Sequence, residues 1–517
     1  MLKKLHGRKL AVCLIGGAMY ALFSAFGWQA EHGGVIWAGG ALLVVGLPAL
    51  LAVLLERGYT RALRREKTFC AGRAFAFILA CYVPMFCVAF PGSFAYDVPY
   101  QLRQVVTGAY STHHPLLHTL ALGGLLQLGR ALGDINLGAA LYTALQMALL
   151  AGCFALTCGS IARQSGARAA KRAAVFFALY PLNMVMAVNA TKDVLFGGFF
   201  ALTLALLNEI QEKPSRGLAL KIAACGALAV MLRNNMAYAA LVWLALLTIG
   251  LRKAEKSAAL AMLLALAVGL CGNAALKHAT RAESGDMSEM LSWPIQQLAR
   301  ARLYDEERLT DAEKEAIDEL MPGEAWACYD PTISDPVKFE FDTQAFRTDV
   351  KKYVGVWLSV GKKCAGTYLD ATMALTYPFF YPYREYRVSG YYVQMGMSDA
   401  YDAGWCDFDP PESRSLFPRA LTSLSWRFGA KGAMQIPVVG WLFNMGVIVW
   451  TMLFFALREM YWGRWRRFGM ALLPVLLWGT FLLGPVMAGR YIYPFVCALP
   501  VLAARPGRIV KEAERHG

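Results

Sequence analysis

Apolar runs close to 20 residues long recur from end to end of this 517-residue chain, and they restrict its fold before any motif is read. About twenty helical residues cover the ~30 Å of hydrocarbon in a bilayer. A backbone in hydrocarbon has no water to bond, so a crossing segment of this kind must satisfy its own N–H and C=O groups as a helix. The runs lie at about 10–28, 35–55, 74–90, 138–159, 173–189, 194–209, 217–232, 236–250, 257–275, 432–457, 468–488 and 491–504. They predict an all-α polytopic membrane protein with about 12 transmembrane helices. The first run follows a basic head (Lys3, Lys4, Arg8, Lys9). Its apolar body is too long for a signal peptide and lacks an A-x-A site, so it reads as a first span.

Charge orients the spans. The net +15 would suit a nucleic-acid binder, but its distribution argues against one. Residues 279–430 hold 24 of the 36 acidic and 16 of the 51 basic residues, a local −8 that leaves +23 for the rest. That remainder clusters in alternate connections: 1–9, 56–73, 160–172, 210–216, 251–256, 458–467 and 505–517. This is the positive-inside pattern, with both termini cytoplasmic and the acidic segment outside. Three regions follow: N-terminal spans at 1–275 with a large outer loop at 91–137, an extracytoplasmic domain at 276–431, and C-terminal spans with a basic tail at 432–517. Leu116–Leu132 is apolar enough to cross, but counting it would place the later basic loops outside. It is expected to lie in the interface or to dip in from the outer face.

The outer loops carry the candidate chemistry. PGSFAYDVPYQLRQVVTGAYSTHHPLLHT, at 91–119, sets Tyr96, Asp97, Arg103, His113 and His114 at the membrane surface, where ionisable groups are costly and need a reason. The short outer turns add Lys192 and Asp193 in NATKDV, Arg233 in LRNNMAY, and Arg490 and Tyr491 in GPVMAGRYIYP. Each cation taken singly reads as a snorkelling or capping charge. Three on the face that positive-inside bias should leave poor in cations, beside Asp97, describe a pocket for a phosphate. The histidines suit interfacial hydrogen bonding, a phosphate or sugar hydroxyls. No metal-ligand spacing is present, although a divalent cation between Asp97 and a histidine stays open.

The outer domain is expected to be of mixed structure, mainly helical. SEMLSWPIQQLARARL has helical spacing and should lie along the membrane. ERLTDAEKEAIDELM is a helix capped by Thr310 or Asp311. FRTDVKKYVGVWLSVGKKCAGTYLDATMAL is one or two helices with a break at Gly361. YPFFYPYREYRVSGYYVQMG is either core and interfacial aromatics or a platform for sugar rings or a polyprenyl chain. In GWCDFDPPESRS, Asp407 and Asp409 are more readily solvated acids than cation ligands. Most cysteines lie in apolar runs as small packing residues, while Cys328, Cys364 and Cys406 leave room for one disulfide and an odd thiol.

An amino-terminal helix, a large outer loop bearing a carboxylate, further spans and a late outer domain together resemble the GT-C superfamily of integral-membrane glycosyltransferases, and within it most closely a bacterial group of large multispanning proteins. The resemblance rests on SFAYDVPYQ at 93–101, STHHPLLHT at 111–119, TKD at 191–193, LRNN at 232–235, WPIQQLAR at 293–300 and GRYIYP at 489–494. It implies inverting transfer of a sugar from a polyprenyl-phosphate donor to an extracytoplasmic glycan, lipid or protein. Asp97 would be the catalytic carboxylate. Lys192, Arg233 and Arg490 would hold the donor phosphate, and Tyr96, Arg103, His113, His114, Asp193 and Tyr491 would support them. Two helices precede residue 74 where the simplest members have one, and the first loop lacks the paired acidic dipeptide of protein O-mannosyltransferases. A transporter or flippase would also combine many spans with buried charge, but it would place the charges at mid-membrane and show matching halves. A lipid-linked polymer ligase of the cell envelope would share the cationic pocket and attack with a different group.

Overall fold

The computed structural model of the chain describes residues 7–32, 50–51, 54–55, 69–94, 97–248, 253–382, 395–397, 410–429, 436 and 438–504. Most of the apolar run at 35–55, the basic tail 505–517, Tyr96, Cys406, Asp407, Asp409 and the aromatic stretch 383–394 lie outside the described residues. Among the described residues the chain is all-α. Its extended contacts are isolated bridges, so the segment 276–431 is helical there and not mixed.

The N-terminal helices are α1 (Gly7–His32), α2 (Ala71–Val88), α3 (Val98–Thr107), α4 (Leu116–Ala131), α5 (Ile135–Ser165), α6 (Ala167–Leu179), α7 (Pro181–Ala187), α8 (Lys192–Glu212), α9 (Arg216–Leu232), α10 (Asn234–Thr248) and α11 (Lys253–Thr280). Among the described residues five segments are long and apolar enough to cross a membrane: Gly7–Glu31, Ala71–Val88, Ile135–Ser165, Lys192–Glu212 and Lys256–Thr280. Asn234–Thr248 and Gly489–Ala503 are apolar but shorter. These helices make the chain a membrane protein by composition. Their outward faces agree, because Leu137, Leu141, Leu145, Leu149 and Leu156 form an exposed apolar stripe along α5. A stripe of that length on a surface helix calls for an apolar covering such as lipid.

α8 is the central helix. It is apolar nearly all round and buried along its length, which is the pattern of a helix enclosed by others. It packs against α5, α9, α11 and the C-terminal helices. The run at 173–189 is not one helix. Pro181 cannot continue the ladder, so α6 ends at Leu179 and the short α7 begins at Pro181.

α4 and α5 form a tight antiparallel hairpin through Gly133 and Asp134, which caps α5 by accepting from the Asn136 N–H at 2.9 Å. The helices touch backbone to backbone. A Cβ on Gly129 would lie 2.3 Å from Gly138 N, and one on Gly138 would lie 2.2 Å from Leu125 O. α4 buries Leu122 and Leu126 against α3 and α5, and at 16 residues it is shorter than the five crossing candidates. α5 has 31 residues, about 46 Å, so it exceeds the ~30 Å hydrocarbon and has length to run beside α4 outside it.

The segment 276–431 contains α12 (Ser292–Tyr304), α13 (Asp311–Leu320), α14 (Asp335–Phe339), α15 (Thr343–Thr348), α16 (Val350–Lys363) and α17 (Ala365–Thr376) around its own apolar core. Thr310, not Asp311, is the N-cap of α13, in a reciprocal capping box with Glu313. α12 is a core helix of this segment, with Ile295, Leu298, Ala299 and Ala301 buried. The break between α16 and α17 falls at Cys364, while Gly361 stays helical because its missing side chain admits the Tyr368 ring. Cys328 and Cys364 are free thiols. Tyr377, Phe379, Phe380 and Tyr381 are buried core, so this half of the aromatic stretch is not an open platform. α18 (Pro418–Gly429), α19 (Met445–Tyr461), α20 (Trp465–Leu482) and α21 (Tyr493–Ala503) complete the chain.

The hairpin contact makes a direct prediction. Gly138→Val should lower stability by about 1–3 kcal/mol through overpacking, whereas Gly152→Val, at a position open to 4 Å, should be near neutral. Thermal unfolding of the detergent-solubilised protein would check this.

Candidate functional site

Four connections meet at one end of the bundle. They are the start of α3, the start of α8, the link between α9 and α10, and the turn from α20 into α21. The first two are joined by backbone bonds: Ser93 N–H donates to Val188 O and Ala190 N–H to Ser93 O, both at 2.8 Å. Gly92 enables this approach. Its φ is +144°, and a Cβ there would lie 2.2 Å from Thr143 Oγ1. Phe94 and Val98 then bury against α4 and α5, which sets Asp97 over the first turn of α8.

Asp97 is the hub. Lys192 Nζ donates to its Oδ2 at 2.9 Å. Arg490 Nη1 donates to the same oxygen at 3.2 Å, and Arg490 Nη2 to Oδ1 at 3.4 Å. His114 Nδ1 lies 3.8 Å from Oδ2 and 3.4 Å from Lys192 Nζ. Asp193 anchors a second pair. Fully buried, it accepts from Arg233 Nε at 2.5 Å and from Thr191 Oγ1 at 3.2 Å, with Arg490 Nε 3.9 Å away. The Arg233 guanidinium also caps the stacked rings of Phe481 and Tyr491, 4.7 and 4.6 Å from their centroids. Its buried Nη2 has no hydrogen-bond partner.

These contacts control protonation. Burial works to raise the Asp97 carboxyl, but the Arg490 and Lys192 charges overcome it and hold the group well below the usual carboxylate range. Burial and the Lys192 ammonium push the His114 imidazole down to about 3, so it is neutral at pH 7. Three cations therefore face two carboxylates, and the group carries one positive charge in excess.

Beneath Asp97 a buried polar chain fixes another histidine. Gln146 Nε2 donates to Ala187 O at 3.0 Å and Asn189 O at 2.9 Å, which orients its amide. Tyr142 donates to Gln146 Oε1 at 3.0 Å, and its hydroxyl also lies 2.9 Å from His118 Nε2. His118 Nδ1 lies 3.0 Å from Gln101 Nε2 and 3.2 Å from Gln101 Oε1. Burial pushes the His118 imidazole down to about 4, so it is neutral at pH 7. This network ties α3, α4, α5 and the 187–189 loop together under the site.

The structure brings together Asp97, His114, Lys192, Asp193, Arg233, Arg490 and Tyr491. It does not bring in Arg103, which is exposed on α3. His113 turns away toward the segment before α12, where its Nδ1 lies 3.9 Å from Glu289 Oε1. Sequence reasoning passed over His118, Gln101, Tyr142 and Gln146. The available signal was four hydrogen-bonding side chains at helical spacing on otherwise apolar faces. Among the described residues no three His, Cys, Asp or Glu side chains gather to hold a metal ion.

Residues 106–516 match DUF6020, a family of unknown function. The match spans well over half of the chain, so the chain belongs to that family; it starts after Asp97 and takes in Lys192, Arg233 and Arg490. No curated protein and no solved structure matches the chain.

Two predictions follow from the pairing. Asp193→Asn strands a buried guanidinium and should cost about 3–5 kcal/mol, read as a fall in unfolding midpoint. His114 binds its proton less tightly folded than unfolded, so stability should fall as pH drops from 6.5 toward 3. Below the normal carboxylate value of 3.8, protonation of Asp97 should add to that loss. His114→Gln should flatten the upper part of the curve.

Proposed function

We propose that this DUF6020 protein is a membrane glycosyltransferase of the GT-C type that transfers a sugar from a polyprenyl-phosphate donor to an extracytoplasmic acceptor such as a cell-envelope glycan. The observation that carries the reading is the cationic group itself, net positive and at one end of an apolar bundle. A lipid phosphate placed there would sit at headgroup level while its chain lay along apolar helix faces. In this reading the chain crosses the membrane about 12 times with both ends cytoplasmic and residues 276–431 outside.

The chemistry would be a single displacement with inversion. The acceptor oxygen attacks the anomeric carbon, the bond to the phosphate oxygen breaks, and the acceptor proton passes to Asp97. Lys192 and Arg490 would stabilise the charge that grows on the leaving phosphate, and low dielectric strengthens both contacts. Arg233, clasped by Asp193 and two rings, would act through its field and hold Tyr491 in place. Neutral His114 can bond a sugar or acceptor hydroxyl. A transporter is less well supported, because these charges lie at helix ends and not midway along them. A polymer ligase would use the same cations with another nucleophile.

The test is transfer by purified protein in nanodiscs, with radiolabelled polyprenyl-phosphate hexoses as donors and envelope extract as acceptor. Asp97→Asn should lower transfer by roughly 10²–10⁴-fold while donor still binds. Arg490→Ala should weaken donor binding and transfer together. Transfer that survives Asp97→Asn would remove Asp97 from the mechanism. Failure to bind any donor, across several sugars and lipids, would remove the glycosyltransferase reading.

A further inference from the structure

The two cations best placed for a phosphate are already engaged by the protein. Lys192 Nζ and Arg490 Nη1 converge on a single oxygen, Asp97 Oδ2, and Arg490 Nη2 reaches Oδ1. A guanidinium and an ammonium meet the paired oxygens of a carboxylate and of a phosphate in much the same geometry. Asp97 thus stands where a substrate anion would have to bind.

Three observations distinguish Asp97 from Asp193, the other carboxylate of the group. Asp193 is 0% exposed and locked by Arg233 and Thr191, whereas the Asp97 side chain is 22% exposed. Asp97 is the N-cap residue of α3, yet its side chain makes no capping hydrogen bond, so α3 loses none if the carboxylate moves. The groups that face Asp97 from the neighbouring elements are Lys192 on α8, Arg490 before α21 and neutral His114 before α4. Its retention therefore depends on the two cations, and a stronger anion can compete for both.

We propose that Asp97 is an internal stand-in for the substrate anion: it clasps Lys192 and Arg490 in the free protein, and a phosphate that takes those cations releases the carboxylate. The inference rests on the phosphate site of the proposed function and adds its regulation. While clasped, Asp97 is a weak base. Sharing its cations with a phosphate raises its proton affinity, so the base is activated when the donor arrives. Linkage makes the coupling reciprocal, and the unclasped carboxylate in turn favours the bound phosphate. The acceptor hydroxyl would thus be activated after the donor is seated.

Binding of farnesyl phosphate to the full-length protein in nanodiscs tests this without any turnover. Asp97→Asn removes the competitor and should bind the probe roughly tenfold tighter than wild type, a gain of about 1.4 kcal/mol. Without the probe the variant should unfold at a lower temperature, because the buried Arg490 and the half-buried Lys192 lose a partner. With the probe its midpoint should rise further than that of wild type. Asp97→Ser serves as a second variant, and one that unfolds cooperatively only with farnesyl phosphate present also supports the stand-in. Lys192→Met and Arg490→Met should weaken binding in either background. If both Asp97 variants bind no tighter than wild type and gain no larger thermal shift, the stand-in is refuted while the phosphate site survives. If no form binds the probe, the phosphate site and the stand-in fall together.

Discussion

An unpaired charge is expensive at the end of an apolar bundle, and the end of this molecule that carries Asp97 is organised by that cost. Lys192, Asp193, Arg233, Arg490 and Asp97 come from four separate connections, and each has an opposite charge within 3.2 Å. Ion pairs of this kind contribute little net stability, because desolvation consumes most of the attraction. Their effect is geometric. The Asp193–Arg233 pair holds the start of α8 against the end of α9, and the Arg233 guanidinium pins Phe481 and Tyr491 from α20 and its following turn. The segments that carry the site are thereby held in one place.

The other end of the same helices is closed differently. Glu209, near the last turn of α8, accepts from Ser160 and Arg163 of α5. Arg458 pairs with Glu459 and donates to Leu502 O and Ala503 O, and Arg467 donates to Ala504 O, so cations cap the carbonyl end of α21. α8 has 21 residues, so its two charged ends lie about 31 Å apart, close to the thickness of a hydrocarbon core. Between them the buried side chains of α8 are apolar apart from Thr203 and Asn208. Fixed cations at one end complete backbone caps, while at the other they face an Asp97 side chain that keeps some exposure, and that contrast gives the two ends different capacities.

Much of the helical architecture was legible in the chain. The apolar runs at 138–159, 194–209 and 217–232 correspond to α5, α8 and α9 with small shifts at their ends. The errors have local causes. Pro181 divides the run at 173–189 because hydropathy does not register a missing N–H. Gly361 reads as a breaker, yet its smallness is spent on a ring packed against it, and the chain breaks three residues later. Tyr377 to Tyr381 read as a surface as easily as a core, since aromatic composition does not say which side of a helix meets its neighbours. In the site, Asp97, Lys192, Arg233 and Arg490 stood out because charge is conspicuous among apolar residues. His118 and Tyr142 did not, because a lone polar side chain on an apolar face has no visible partner until another helix supplies one.

The sequence by itself determined the class of molecule, since helical runs of this length and polarity have few stable alternatives, and it determined which loops hold charge. Tertiary structure alone decided the pairings. Which carboxylate takes which cation depends on distances between residues up to 393 positions apart. Those distances follow from helix packing, such as the Gly129–Gly138 contact and the backbone bonds at Ser93. Local sequence encodes the propensity of each helix to form and the cost of leaving its charges bare, but it does not encode the register in which distant helices come to rest. For that reason Arg103 and Arg490 look alike in the chain, and only one of them reaches Asp97.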